Sequence, residues 1–188
     1  MLNDNILQNI CQTLASGGVI LYPTDTIWGI GCDATNPSAI EKVYSIKQRD
    51  PHKSMLILCF DYVQVSQYVS HFDTRVEQYL SKAERPTTVI YPAARNLPQN
   101  LVAADGSIGI RVPKSDFCTA MLQKFGKPVV STSANFSGQP APANFYDIGT
   151  ELVEKVDFVV PEHCCDSHFS QGSNIIKITA KGEICKIR

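Results

Sequence analysis

The residues of this chain best equipped for chemistry are hydroxyls and cations rather than a nucleophile with its base. Val129 to Gly138 reads VVSTSANFSG, where two β-branched residues run into Ser131, Thr132, Ser133, Asn135 and Ser137. That order predicts a buried strand over 128–131 ending in a loop dense in small donors and acceptors, suited to oxygen-rich ligands. Ser, Asn and Gly also build ordinary turns, so composition alone leaves both readings open. Lys47, Arg49, Lys53 and Arg111 fall at or just beyond expected strand or helix ends. Cations and hydroxyls gathered at such ends point to phosphate binding. For Lys47 and Arg49 the plainer reading is compensation of a helix C-terminal dipole. Arg111 belongs to a strand in which Ser107, Gly109 and Arg111 share one face, and its partner is either a neighbouring carboxylate or a ligand.

The elements that must position these groups alternate between helix and strand. Ile6, Leu7, Ile10 and Leu14 predict an amphipathic helix over 4–16, stopped by Gly17-Gly18. A short buried strand is expected over 19–22, with Thr24-Asp25-Thr26 beyond its end, where ligands often sit. Gly29-Ile30-Gly31-Cys32-Asp33-Ala34 fits the GxGxxG/A dinucleotide pattern. That pattern requires its glycines inside a strand-to-helix turn, whereas here TDTIW precedes Gly29 and the next helix begins only at Asn36-Pro37. The helix runs into Lys47-Gln-Arg49-Asp-Pro51, and Lys47 and Arg49 converge only if the backbone leaves helical form there, as Pro51 encourages. Strands follow over 54–59, 87–91 and 107–113, with helices over 62–69 and 74–83 and a Ser115-capped helix ending at Gly126. Past a proline-rich loop over 139–144, a helix is expected over 146–155, an extended segment over 157–160, and a hairpin of 174–178 with 183–187 turned at Lys181-Gly182.

Bulk properties narrow the function classes. With 188 residues, 44% hydrophobic and 19% charged, the chain reads as one soluble globular domain with a sizeable core, and it lacks any apolar run of membrane-spanning length. The start MLNDNILQNI lacks the plan of a secretory signal, which gives a cytoplasmic expectation. Seven scattered cysteines without a CxxC pair suit reduced thiols, mostly acting as small core hydrophobes. Net charge is −1, with 17 basic against 18 acidic residues, unlike a domain that lives on nucleic acid. The segment His163-Cys-Cys-Asp-Ser-His168 offers zinc-type ligands. Adjacent Cys164 and Cys165 do not both reach one ion easily, and no second cluster completes a site, so no metal site and a mobile polar loop are expected. GxxxxGK[ST], kinase and GxSxG signatures are absent. Pattern alone stops at an α/β domain with an anion or nucleotide site.

LYPTDTIWGIGCDA, the Lys-x-Arg of Lys47 and Arg49, SIGIRVP and PVVSTSANFSG, in this order, resemble the YrdC-like family of threonylcarbamoyl-adenylate synthases over nearly the whole chain. The resemblance implies a YrdC-like α/β fold, a twisted mixed β-sheet flanked by helices with an open concave cavity, as a single domain over 1–188. It implies a nucleotidyltransferase forming threonylcarbamoyl-AMP and pyrophosphate from L-threonine, bicarbonate or CO₂ and ATP with Mg²⁺. The product would serve the t6A modification of adenosine 37 in tRNAs reading ANN codons, through a downstream t6A transferase complex, with tRNA itself bound at most weakly and no membrane involved. Threonine would meet Thr26, Arg111, Ser131 and Ser173. ATP would meet Lys47, Arg49, Lys53, Ser107, Ser133, Asn135, Ala141 and Arg188, and the catalytic set would be Lys47, Arg49, Ser131 and Asn135. Two departures stand out: Ala83-Glu-Arg-Pro-Thr-Thr88 replaces the usual Trp-Pro-Gly-Pro-x-Thr, and Cys59 stands where some members carry a histidine. The alternatives are a noncatalytic RNA-binding translation or ribosome-assembly factor, and a carbamoyl-transfer module like that of the longer hydrogenase-maturation proteins.

Overall fold

The computed structural model describes residues 4–51, 53–166, 171–179 and 182–188. In chain order the elements are α1 (Asp4–Ala15), β1 (Ile20–Tyr22), β2 (Gly29–Gly31), α2 (Pro37–Lys47), β3 (Leu56–Leu58), α3 (Tyr62–Tyr68), α4 (Thr74–Ser81), β4 (Thr87–Tyr91), β5 (Ile108–Arg111), α5 (Asp116–Phe125), β6 (Val129–Ser133), α6 (Thr150–Val153), β7 (Phe158–Val159), β8 (Asn174–Ile178) and β9 (Ile184–Lys186). Local chemistry sets many of these boundaries. The Asn36 side chain accepts from the Ser38 and Ala39 amides ahead of Pro37, which starts α2. Ser115 accepts from the Cys118 amide and Gly126 turns left-handed, which opens and closes α5. α2 stops because Gln48 takes a left-handed conformation, three residues before Pro51 could act.

Among the described residues the strands form one open, mixed, nine-stranded sheet in the order β7-β1-β2-β6-β3-β5-β4-β8-β9. β6 lies in its middle, antiparallel to β2 on one edge and to β3 on the other. Parallel pairing joins β3 to β5 and β4 to β8. One core packs α2, α3 and α4 through Ile40, Val43, Val65 and Val76 with Ile57, Val89, Ile110 and Val130 of the sheet. The other packs α1 and α5 through Ile10, Leu14, Phe117 and Met121 with Leu58 and Val129. Period-two alternation puts Leu56 and Ser131 on the same face as Leu58 and Val129. That face is therefore apolar where α1 and α5 cover it and turns polar further along.

Several expectations need correction. Gly29–Gly31 is a strand paired with β1, so the GxGxxA match lies along a strand instead of in a phosphate-binding turn. Pairing with it carries β6 two residues past the expected end, to Ser133, opposite Gly29. Ser131, Thr132 and Ser133 are thus strand residues whose backbone is fixed by the ladder. The helix expected over 146–155 is broken into a 3-10 turn at Phe145–Asp147 and the four-residue α6, with Gly149 ahead of the latter. Residues 163–166 are not a mobile loop. Cys164 is buried in a 3-10 turn, and the Asp166 carboxylate accepts from the Ser115 hydroxyl at 2.6 Å and the Phe117 amide at 3.1 Å, anchoring the segment on the start of α5. His168 and Lys181 lie outside the described residues, although β8 and β9 do form the expected hairpin.

Gly31 faces the tightest backbone contact in the sheet. A Cβ there would stand 1.8 Å from the Val130 carbonyl oxygen, the same oxygen that accepts from the Tyr22 hydroxyl at 3.2 Å. Gly31→Ala should therefore force β2 off β6 and destabilise the fold by at least about 2 kcal/mol, whereas Gly149→Ala, into open space, should change stability by no more than about 0.5 kcal/mol. Denaturant unfolding of both variants checks this.

Candidate functional site

Where α1 and α5 no longer cover the sheet, its face becomes the floor of a cavity of about 410 Å³. Alternation assembles the floor. Ser107, Gly109 and Arg111 from β5 and its approach face the cavity, as do Ser131 and Ser133 from β6 and Thr88 and Ile90 from β4. The intervening Ile108, Ile110, Val130, Val89 and Tyr91 go to the opposite core. The loop between β1 and β2 adds Thr24, Thr26 and Trp28, the link from α2 to β3 adds Arg49, and the stretch after β6 adds Ala141. Ser173, beside β8, and Arg188, beyond β9, close the far side.

The wall hydroxyls are fixed by one another. Thr24 Oγ1 lies 2.9 Å from Thr26 Oγ1 and donates to the Ile27 carbonyl at 2.7 Å. Thr88 Oγ1 and Ser173 Oγ lie 2.7 Å apart, and Arg188 Nη2 donates to the Ser173 carbonyl at 2.8 Å. Ser107 donates its hydroxyl at 2.5 Å to Asp105, whose carboxyl is held down at about 2 by that bond and by Lys177. Fixed hydroxyls present oriented donors and acceptors without the entropy loss of ordering free ones.

Three guanidinium groups face this space, and none of the described lining residues has a carboxylate side chain. Arg49 donates Nε to the Lys53 carbonyl at 2.9 Å and Nη2 to the Ser54 carbonyl at 3.0 Å, contacts that are neutral and do not themselves offset its charge. Arg111 is 4% exposed and stands against both partners left open by the sequence. It faces the cavity, and its Nε lies 3.1 Å from Asp25 Oδ1. An open, positively charged concavity floored by hydroxyls is built to hold an anionic small molecule.

The cavity thus gathers Thr26, Arg49, Ser107, Arg111, Ser131, Ser133, Ala141, Ser173 and Arg188 of the expected set. Lys47, Lys53 and Asn135 do not line it. Lys47 is 1% exposed, and its ammonium donates to the Ser133 carbonyl and, at 2.7 Å, to that of Asn135. It pins the end of β6 from behind instead of projecting into the open space. Burial, with a smaller contribution from the nearby Arg49 charge, pushes its pKa down to about 8. Lys53 is exposed and contributes its carbonyl to Arg49. Asn135 donates to the Phe136 and Gln139 carbonyls and lines a separate cavity of about 320 Å³. Thr24 lines the cavity as its place beyond a strand end suggested, whereas Trp28 and Thr88 were missed as lining residues. The signal for Thr88 was there in Thr88/Ile90 alternating with Val89/Tyr91. Cys32, Cys59 and Cys118 are buried, which pushes their thiols up, Cys118 to about 12, so none is poised as a nucleophile.

A family model for Sua5, YciO and YrdC, described as "Telomere recombination", matches residues 12–188. The chain belongs to the Sua5/YciO/YrdC family. Within this family, a relative from Pseudoalteromonas translucida (strain TAC 125) named threonylcarbamoyl-AMP synthase is 37% identical over 153 residues, which is 79% of this chain and 81% of the relative. The Sua5/YciO/YrdC fold is shared with P. abyssi Sua5 complexed with L-threonine, at a TM-score of 0.86 and 17% identity over 94% of this chain and 52% of that one. E. coli YciO superposes at a TM-score of 0.79 and 24% identity, over 98% of this chain and 88% of its own. The chain spans about half the length of the Sua5 chain, and at these identities both structural likenesses speak to fold alone.

Lys47 has no carboxylate partner among the described residues, so its ionisation is readable in stability. Its folded pKa of about 8 lies below the unfolded value of 10.5, so the unfolded state holds more protons between them and stability from this group rises with pH. The stability of wild type relative to Lys47→Met should therefore increase by about 2 kcal/mol from pH 7 to pH 9.5. Paired urea titrations at the two pH values check it, and a constant difference would place the Lys47 pKa near its ordinary value.

Proposed function

We propose that this chain is a threonylcarbamoyl-AMP synthase, a nucleotidyltransferase acting as a single YrdC-like unit over 1–188 on L-threonine, bicarbonate or CO₂ and ATP. One observation carries the reading: a cavity without Asp or Glu among its described lining residues, in which Arg49, Arg111 and Arg188 surround a hydroxyl floor, in a chain related over most of its length to proteins of that name. The neutral threonine amine adds to CO₂ with release of a proton, or to bicarbonate with loss of water, and either route leaves a carbamate. A carbamate oxygen then attacks the α-phosphorus of ATP while the bond to the β-phosphate breaks and pyrophosphate departs with its electron pair. No protein nucleophile is required, so positioning and charge neutralisation are the tasks.

In this reading Arg111, Thr26 and Ser173 hold the amino acid, and Ser131 sits between amino acid and nucleotide. Arg49 and Arg188 face phosphate oxygens with Ser107, Ser133 and Ala141 alongside. Lys47 acts from behind β6 by holding Ser133 and Asn135 in place and adding positive potential. Lys53 reaches the triphosphate only by moving from its exposed position, and Asn135 only by giving up its carbonyl contacts. Mg²⁺ fits as part of the ATP complex, since the lining residues supply no carboxylate cage for it. Among the described residues no helix is long and apolar enough to cross a membrane. A cytoplasmic enzyme feeding a downstream t6A transferase complex is the setting this reading gives.

With net charge −1 and Arg49, Arg111 and Arg188 committed to this cavity, the protein has little means of gripping a polyanion at physiological salt. Mass spectrometry should detect threonylcarbamoyl-AMP from purified protein, L-threonine, bicarbonate, ATP and Mg²⁺ with no RNA present, and Arg49→Ala should cut the rate at least tenfold through loss of a charge-assisted contact. An absolute need for tRNA would replace this division of labour with the RNA-binding reading.

A further inference from the structure

Asp25 stands directly behind Arg111, and nothing in the reaction scheme uses it. Its carboxylate is 2% exposed, with Oδ1 3.1 Å from Arg111 Nε and Oδ2 accepting from the Lys114 amide at 3.1 Å. Neither Oδ1 nor Nε completes an aligned hydrogen bond, so the contact is one of charge against charge. The other edge of the guanidinium touches the same loop again, Nη2 donating to Thr26 Oγ1 at 3.3 Å, and Thr26 is held in turn by Thr24. The loop between β1 and β2 therefore grips Arg111 at two points from a strand that lies elsewhere in the sheet. Arg49 and Arg188 differ, since their partners among the described residues are backbone carbonyls.

We infer that Asp25 is a positioning residue that fixes the Arg111 guanidinium by its Nε edge, so that the Nη edge is aimed into the cavity as a fork for a monoanionic carboxylate. A planar fork recognises a carboxylate only when its rotation is set, and the flexible arginine stem does not set it alone. Compensation by Asp25 also weakens the pull of this end on a polyanion, leaving the triphosphate to Arg49 and Arg188, whose side chains are paired with no Asp or Glu side chain among the described residues. The assignment rests on the threonine-carboxylate role proposed above for Arg111.

Asp25→Asn separates positioning from charge, because the two effects have opposite signs. Asparagine keeps the acceptor for the Lys114 amide and removes the negative charge. If Asp25 only offset charge, its loss would tighten carboxylate binding; if it orients the fork, binding weakens. The orienting effect should win, because the guanidinium separates Asp25 from the ligand and water in the open cavity screens the repulsion. Trp28, the one tryptophan of the chain, lines the cavity and reports L-threonine binding by fluorescence. Asp25→Asn should weaken L-threonine at least tenfold with the KM for ATP within twofold of wild type, and should add less than twofold on an Arg111→Lys background. Tighter or unchanged threonine binding, or equal loss for threonine and ATP, would overturn the assignment. If Asp25→Asn does not fold, Asp25→Glu, which advances the carboxylate by one methylene, should give the same selective loss. A measurement without ligand stands apart from the threonine reading: the Arg111 Nε–H nitrogen-15 resonance should exchange slowly with water in wild type and rapidly in Asp25→Asn. An unchanged resonance removes the positioning role even if wild type binds threonine. Failure of wild type to bind threonine, with the resonance lost as expected, would instead fault the function proposed for Arg111.

Discussion

The clasp of β6 between β2 and β3 is the constraint on which the cavity depends. On one face of it Val129 packs against α1 and α5 while Ser131 and Ser133 look onto open space, so a single strand carries the sheet from packed core to cavity floor. Both edges must be paired for Ser131 and Ser133 to stand at fixed height, and pairing with β2 is possible only because Gly31 lets the Val130 carbonyl approach. The side chains that face a ligand are thus set by backbone ladders whose geometry no ligand has to create.

Charge is distributed on this scaffold with unequal compensation. Among the described residues Arg111 is matched by Asp25, whereas Arg49 meets backbone carbonyl dipoles and Lys47 is buried against two more. Burial of an ammonium without a carboxylate is costly, and the depressed Lys47 pKa expresses that cost. Stored positive potential of this kind is released when an anion arrives, which is a use for residues that weaken the empty fold.

Elements whose signals are local could be read from the sequence. The capped helices α2 and α5, the alternation of Ser107, Gly109 and Arg111, and the β8–β9 hairpin all follow from residues within a turn or two of each other. Gly29–Gly31 could not be read, since glycine has poor strand propensity and the strand exists through its neighbours on both sides. The resting partners of Lys47 and Arg111 lie 85 or more residues away along the chain, beyond any local pattern. Asp166 was hidden by its setting among histidines and cysteines, which drew attention to metal chemistry and away from a carboxylate capping α5.

In the function proposed above, the substrates meet in the arginine-lined concavity over β5 and β6. Hydrogen–deuterium exchange with and without ATP, Mg²⁺, bicarbonate and L-threonine addresses it directly, because loop amides around the cavity have no ladder to protect them beforehand. Slower exchange is expected over 24–28, 134–141 and 171–173, with α1 and α5 unchanged. Protection confined to the separate groove that Tyr79 and Lys82, in and just after α4, line with Ile184 and Lys186 of β9, or none around the cavity at saturating substrate, would contradict the account.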